Sequence, residues 1–170
     1  MTPKRCLAFG ACALWLLAGA GCSDAHLVTG VYRSQQAVVL DDIPGFAGDG
    51  LFVEIVLGQY GPDVTGLVRF YRDANFLFAA PGGCDCRFVQ EGRYDDGVVL
   101  LAFPGPVPCD DSAMLVGARL QADETGDRLE GRLGTALDAG PAWAFDRVVP
   151  EAEMTDGHKA CEEQLVVEAR

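Results

Sequence analysis

Two neighbouring stretches decide the fold: VGARLQA at residues 116–122 and RLEGRL at residues 128–133. Apolar side chains occupy alternate positions in both stretches, with polar side chains or glycine between them. The apolar set is Val116, Ala118, Leu120, Ala122, Leu129 and Leu133, and the alternating set is Gly117, Arg119, Gln121, Arg128, Glu130 and Arg132. Because successive side chains of a strand point to opposite faces, this pattern predicts half-buried antiparallel strands.

The rest of the chain from residue 27 onward has the same pattern of apolar runs separated by turn residues. Gly61-Pro62-Asp63 lies between two runs, Asp95-Asp96-Gly97 contains an Asp-Gly pair that suits a primed hairpin turn, and residues 123–127 close a third hairpin. The predicted strands are 27–33, 36–41, 51–58, 66–72, 86–94, 97–103, 114–122, 128–133 and 143–149.

Strands of this kind must bury one face and protect their edges. We therefore predict an all-β domain, either a small antiparallel up-and-down barrel or a sandwich of about eight or nine strands. Trp143 and Phe145 alternate on the final strand and are predicted core anchors. Residues 41–50 and 104–112 are rich in Gly, Pro and Asp and are predicted surface loops.

Two fragments resemble the lipocalin arrangement. Gly30-Val31-Tyr32 opens the first strand, where that family has Gly-x-Trp, and Arg147 lies on the last strand. The resemblance implies a closed barrel followed by a helix. It also implies that Tyr32 and Arg147 form a barrel-closing pair, with Arg147 stacked on the Tyr32 ring in a cation–π contact.

The first residues predict export. Lys4 and Arg5 precede an uncharged apolar stretch at 6–20, too short to span a bilayer core of about 30 Å. This is typical of a signal peptide, here assigned to residues 1–21.

The end of that signal resembles a bacterial lipobox, with small residues before Cys22 and Gly19 where the family has Leu. The resemblance implies that Cys22 carries acyl chains, so the lipid bilayer is a predicted partner. Residues 22–26 are then a tether. Ser23 after the cysteine implies an outer-membrane destination on the periplasmic or cell-surface face. Ordinary cleavage after Ala18-Gly19-Ala20 is the alternative, giving a periplasmic or secreted protein.

Cysteine parity favours lipidation. Of seven cysteines, two leave with the signal and Cys22 would be acylated, so four remain: Cys84, Cys86, Cys109 and Cys161. An exported chain with four cysteines predicts two disulfides rather than a thiolate metal site. A disulfide between Cys84 and Cys86 would have poor geometry because its ring is so small. Two sets of pairings remain. We slightly favour Cys86–Cys109 with Cys84–Cys161 over Cys84–Cys109 with Cys86–Cys161. The tail at 150–170, with a short helix, would thereby be tied to the 27–149 domain.

Charge excludes some partners. The chain has a formal net charge of −12, and residues 1–22 hold only the bases Lys4 and Arg5, so the mature part carries −14. Such a balance argues against nucleic acid and against electrostatic docking on anionic lipid.

No catalytic motif stands out. The three serines of the mature part, 23, 34 and 112, lie outside any G-x-S-x-G motif, and no cofactor or metal is predicted. We therefore expect non-catalytic binding of a small ligand or an envelope protein, in the barrel interior or at the two long loops. The candidate loop residues are Asp41, Asp42, Asp49, Asp110 and Asp111. The alternatives are a hydrolytic enzyme that uses loop carboxylates such as Asp42 and Asp110, and a purely structural envelope protein.

Intact mass of the full protein purified from membranes tests the anchor and the disulfides together. We expect a chain that begins at acylated Cys22 and gains about 4 Da on reduction, four hydrogens for two disulfides. An unacylated chain that begins at Gly21 would contradict the lipid anchor.

Overall fold

The chain folds into a closed β-barrel. The computed structural model describes residues 27–78, 87–107, 113–138 and 140–149. The strands are β1 Gly30–Ser34, β2 Phe52–Tyr60, β3 Asp63–Tyr71, β4 Arg87–Phe88, β5 Glu91–Asp95, β6 Val98–Pro104, β7 Leu115–Ala122, β8 Arg128–Gly134 and β9 Trp143–Val149.

Every strand pairs antiparallel to its neighbours, in the order β2-β1-β9-β8-β7-β6-β5-β3-β4, and β2 also pairs with β3, so the strands form a closed ring. Eight strands form the barrel and β4 is an extra strand paired with β3. The all-β prediction and its barrel alternative are confirmed. The predicted helix of the tail lies outside the described residues.

The two ends of the barrel differ. At one end, here called the turn end, lie three tight connections, at 61–62, 96–97 and 123–127, together with the first described residue, Leu27, and the end of β9. Asp96 and Gly97 both have positive φ, 47° and 80°, which confirms the predicted primed turn. The longer connections, which begin at residues 35, 72, 105 and 135, lie at the opposite end, here called the loop end.

Two predicted strands differ from the structure. In the stretch 36–41 only Val38 bridges to Leu51, because the chain turns into the loop end instead of extending β1. The stretch 86–94 divides into β4, paired with β3, and β5, paired mainly with β6. The Val89 amide donates to Gly66 and the next amide donates to Ala102, so the chain changes partner strand there.

The barrel interior is packed by one cluster of buried side chains. Val116, Ala118, Leu120 and Leu129 are all fully buried, as the sequence alternation predicts. The barrel strands contribute inward-facing residues from all sides: Tyr32, Val53, Ile55, Leu57, Val64, Val68, Phe70, Val99, Leu101, Phe103, Val116, Ala118, Leu120, Leu129, Leu133 and Phe145. Trp143 is 7% exposed, and its role as a core anchor is confirmed along with that of Phe145.

Residues 41–50, here called the plug loop, enter the barrel at its loop end. Ile43 and Phe46 are 1% and 0% exposed, and the Phe46 ring packs edge-on against Phe70 with the centroids 5.3 Å apart. Gly45, with φ of 90°, lies so close to Pro106 that a Cβ would be 2.8 Å from its ring. The prediction of a surface loop is wrong for these apolar residues, because burying two large side chains outweighs the turn-forming tendency of the Gly and Asp residues around them.

A polar cluster closes the turn end. The Tyr32 hydroxyl donates to the Gly126 carbonyl at 2.7 Å and accepts from Arg147 Nε at 3.2 Å. The Arg147 guanidinium carbon lies 5.6 Å from the Tyr32 ring centroid, which is the cation–π contact expected from the sequence. Arg147 Nη2 also donates to the carbonyls of Gly126 and Leu27. Burial raises the pKa of Tyr32 to about 12 although Arg147 opposes the rise, so the phenol stays protonated and donates at neutral pH.

Phe46→Ala tests the plug loop. We expect the free energy of unfolding in urea to fall by about 3–5 kcal/mol, because the substitution leaves a cavity inside a packed core. Phe78→Ala is the matched control: Phe78 is 66% exposed, and its truncation should change stability by less than about 0.5 kcal/mol. Equal effects of the two substitutions would contradict the burial of Phe46.

Candidate functional site

The acidic residues predicted for the plug loop lie on its exposed surface. Asp41, Asp42 and Asp49 are exposed on the plug loop, and Asp42 accepts a hydrogen bond from Thr135 Oγ1 at 2.8 Å. Within the ranges that the structure describes, no three His, Cys, Asp or Glu side chains are grouped to hold a metal ion. The three carboxylates of the plug loop thus lie on its exposed surface, and Asp42 is held there by Thr135.

The other sequence-predicted residues lie outside the described ranges. They are Cys22, Cys84, Cys86, Cys109, Asp110, Asp111 and Cys161. The lipid anchor and the disulfides therefore stay predictions. Tyr32 and Arg147 are in contact at the turn end, where they serve closure of the barrel.

A groove of about 510 Å³ lies on the outer wall of the barrel, across β6, β7, β8 and the segment before β9. This location differs from the predicted places, which were the interior and the loops. The residues that line the groove are Val98, Arg119, Gln121, Ala122, Asp123, Arg128, Glu130, Gly131, Arg132, Leu137 and Ala142.

The groove has an apolar wall and a polar wall. Near the loop end, Leu137 folds over β7 so closely that a Cβ at Gly117 would lie 3.2 Å from it. Near the turn end, Gln121 Nε2 donates to the carbonyls of Gly97 and Ala122, at 3.1 and 3.3 Å. The Gln121 amide is therefore engaged by the neighbouring turn and holds that side of the groove in place.

Two arginines, here called the arginine pair, face each other across β7 and β8. Arg119 and Arg132 are direct cross-strand partners, and both are exposed on the outer face. Like charges directly opposite each other destabilise a sheet. Arg132 Nε donates to the Gly140 carbonyl at 3.1 Å, whereas Arg119 makes no hydrogen bond or ion pair with the described part of the chain.

The acids of the groove do not neutralise the arginine pair. Glu130 accepts from Arg128 at 3.4 Å, and Asp123 shares the Thr125 hydroxyl with Asp127, at 3.3 and 3.0 Å. In an acidic chain, this leaves two adjacent guanidinium groups without a carboxylate partner among the described residues. An arrangement of this kind can bind an oxyanion through paired, charge-assisted hydrogen bonds.

In a second charged cluster, on the outer face of β1–β3, donors of the same chain compensate the charge. Glu54 is 2% exposed, and its carboxylate accepts from Arg33 at 2.7 Å, Arg69 at 3.0 Å and the Tyr71 hydroxyl at 3.3 Å. Burial and the nearby Glu54 charge raise the pKa of Tyr71. The Phe76 ring covers Arg33, with 4.7 Å between the guanidinium carbon and the ring centroid. Both carboxylate oxygens have partners within the chain, so the buried charge of Glu54 is compensated without a ligand.

The sequence placed Arg119 and Arg132 on an alternating polar face but did not identify them as a site. The missing information was the register of β7 against β8. Ala122 lies opposite Leu129, which brings position 119 opposite position 132. The sequence offered one signal for this register, the turn at 123–127. Counting back from it along both strands predicts which residues are opposite each other, but only if the turn length is known.

No protein-family model, curated protein or solved structure matches the chain. The described residues contain no helix of the length and apolar character needed to cross a membrane.

Arg119→Glu tests the repulsion within the arginine pair. We expect the free energy of unfolding to rise by about 0.2–1 kcal/mol at low salt, because a like-charge cross-strand pair becomes an opposite-charge pair. The gain should shrink in high salt, where exposed charges are screened.

Arg72→Glu is the control for net charge, since Arg72 is exposed outside the groove. If urea denaturation gave equal changes for both variants, the effect would come from net charge and not from the cross-strand pair.

Proposed function

We propose that the mature chain is an exported, lipid-anchored barrel that binds a small ligand or an envelope protein without catalysing a reaction, and that it does so at the outer groove. One observation carries the proposal: the groove combines an arginine pair that has no carboxylate partner among the described residues with an apolar wall formed by Leu137 and Ala142. Sites with a few placed polar groups on an apolar surface are typical of ligand binding.

The packed interior supports an external site. An eight-stranded barrel is just wide enough for its side chains to fill it, and here the plug loop adds Ile43 and Phe46 at the loop end. A ligand inside the barrel would have to displace these buried side chains. The outer wall needs no such rearrangement.

The proposed anchor suits this placement. Leu27 is five positions after Cys22, a reach of at most about 18 Å for an extended chain. Leu27 lies at the turn end, beside Arg147. An acylated Cys22 would therefore hold the turn end toward the bilayer, leaving the side wall and its groove accessible.

The chemistry of the groove favours binding over hydrolysis. Arginine is protonated at all working pH values, so it positions and neutralises anions but does not act as a general base. The groove acids, Glu130 and Asp123, are already engaged within the chain. A purely structural envelope protein would have no use for two opposed arginines that weaken its own sheet.

Site-specific photocrosslinking in intact cells tests the proposal. A photoreactive residue at Ala142, which is exposed in the groove, should form one defined adduct, because the bound partner lies against that wall. The mass of the adduct distinguishes a small ligand from a protein. The matched control is Thr65, an exposed residue on the outer face of β3. No adduct at 142, or the same adducts at 142 and 65, would contradict a specific groove partner.

A further inference from the structure

The arginine pair can hold one oxyanion between two guanidinium groups. Directly opposed residues in antiparallel strands have Cβ atoms about 4.5–5.5 Å apart, so two long side chains on one face reach a common point. The Gly140 carbonyl engages Arg132 through Nε. The terminal nitrogens of Arg132, and all of those of Arg119, have no hydrogen bond to the described residues.

The charge balance of the groove limits the charge of the anion that it can bind. Three arginines and two carboxylates line it, a net charge of +1. Gln121 and Glu130 lie two residues along the strands from the arginine pair, about 7 Å away at 3.4 Å per residue. A single carboxylate matches this balance, whereas a phosphate dianion or an extended polyanion would meet the field of Glu130 and Asp123.

The apolar wall adds a second requirement. Leu137 and Ala142 border the same space as the arginine pair, and Val98 lies beside Gln121 at the turn end. A volume of about 510 Å³ lies within the range of sites for small organic molecules, roughly 300–1,000 Å³. The groove is therefore suited to a short apolar body attached to a carboxylate.

We infer that the groove binds the carboxylate of a small organic acid of low net charge, such as the C-terminus of a short peptide, through Arg119 and Arg132. This inference rests on the proposed binding function and names its ligand class. It also explains why like charges are opposed on β7 and β8: the bound carboxylate removes their repulsion, so the strain of the free protein is relieved on binding.

Arginine-selective NMR on the full chain in detergent tests the inference. The probes are N-acetyl-dialanine, which has a free carboxylate, its C-terminal amide, and inorganic phosphate. We expect saturable shifts of the Nε–Hε signals of Arg119 and Arg132 with the acid, and binding weaker by about tenfold or more with the amide. Arg119→Gln and Arg132→Gln should each weaken acid binding by about tenfold or more, whereas Arg72→Gln, which removes the same charge outside the groove, should leave it unchanged.

Three results would overturn the inference. The first is equal binding of the acid and the amide, and the second is tighter binding of phosphate at the same arginines. The third is no saturable shift up to about 20 mM acid, above the Kd of about 1 mM expected for two charge-assisted pairs. The crosslink at position 142 distinguishes failure of the proposed groove binding from failure of the inferred carboxylate ligand. If the crosslink persists when both residues of the arginine pair are replaced by glutamine, the groove binds a partner but not through a carboxylate.

Discussion

Pairing of β1 with β9 is the constraint on which the rest of the structure depends. It joins the first strand to the last and turns a meander into a ring, which removes the two open edges that a flat sheet would expose. β1 has only five residues, and its ladder with β9 shifts register between Val31 and Tyr32. The polar contacts of Arg147 compensate for this short ladder. Its guanidinium joins Leu27 and Tyr32, near the start of the barrel, to Gly126 in the turn after β7.

Closure at the turn end and the plug loop at the loop end leave little room inside the barrel. Phe46 from the plug loop, Phe70 from β3 and Phe103 from β6 form a chain of aromatic contacts, with centroids 5.3 and 6.3 Å apart. Such packing resembles the interior of any globular core and is maintained by dispersion and apolar burial. The groove and the arginine pair lie instead on the outer wall, outside this packed core.

The outer wall contains two charged clusters whose roles differ for a physical reason. Glu54 is buried, and three donors from its own chain satisfy its carboxylate, so removing any of them would leave a desolvated charge behind. Arg119 and Arg132 are exposed and repel each other without a carboxylate partner among the described side chains. The Glu54 cluster is therefore complete within the fold, whereas a bound anion would relieve the repulsion between the two arginines.

The sequence by itself determined which side chains face inward. Strict alternation at 116–122 and 128–133 is a local consequence of strand geometry, and the positions of the tight turns follow from residues that tolerate positive φ, such as Gly97. The Tyr32–Arg147 contact was anticipated from a family resemblance, because it depends on two fixed positions in a closed barrel. Only the tertiary structure decided between barrel and sandwich, because the same alternation satisfies both. Only the tertiary structure showed the plug loop inside the barrel and Arg119 opposite Arg132. The burial of Phe46 and the register of β7 on β8 both depend on contacts between separate segments, which local sequence patterns do not specify.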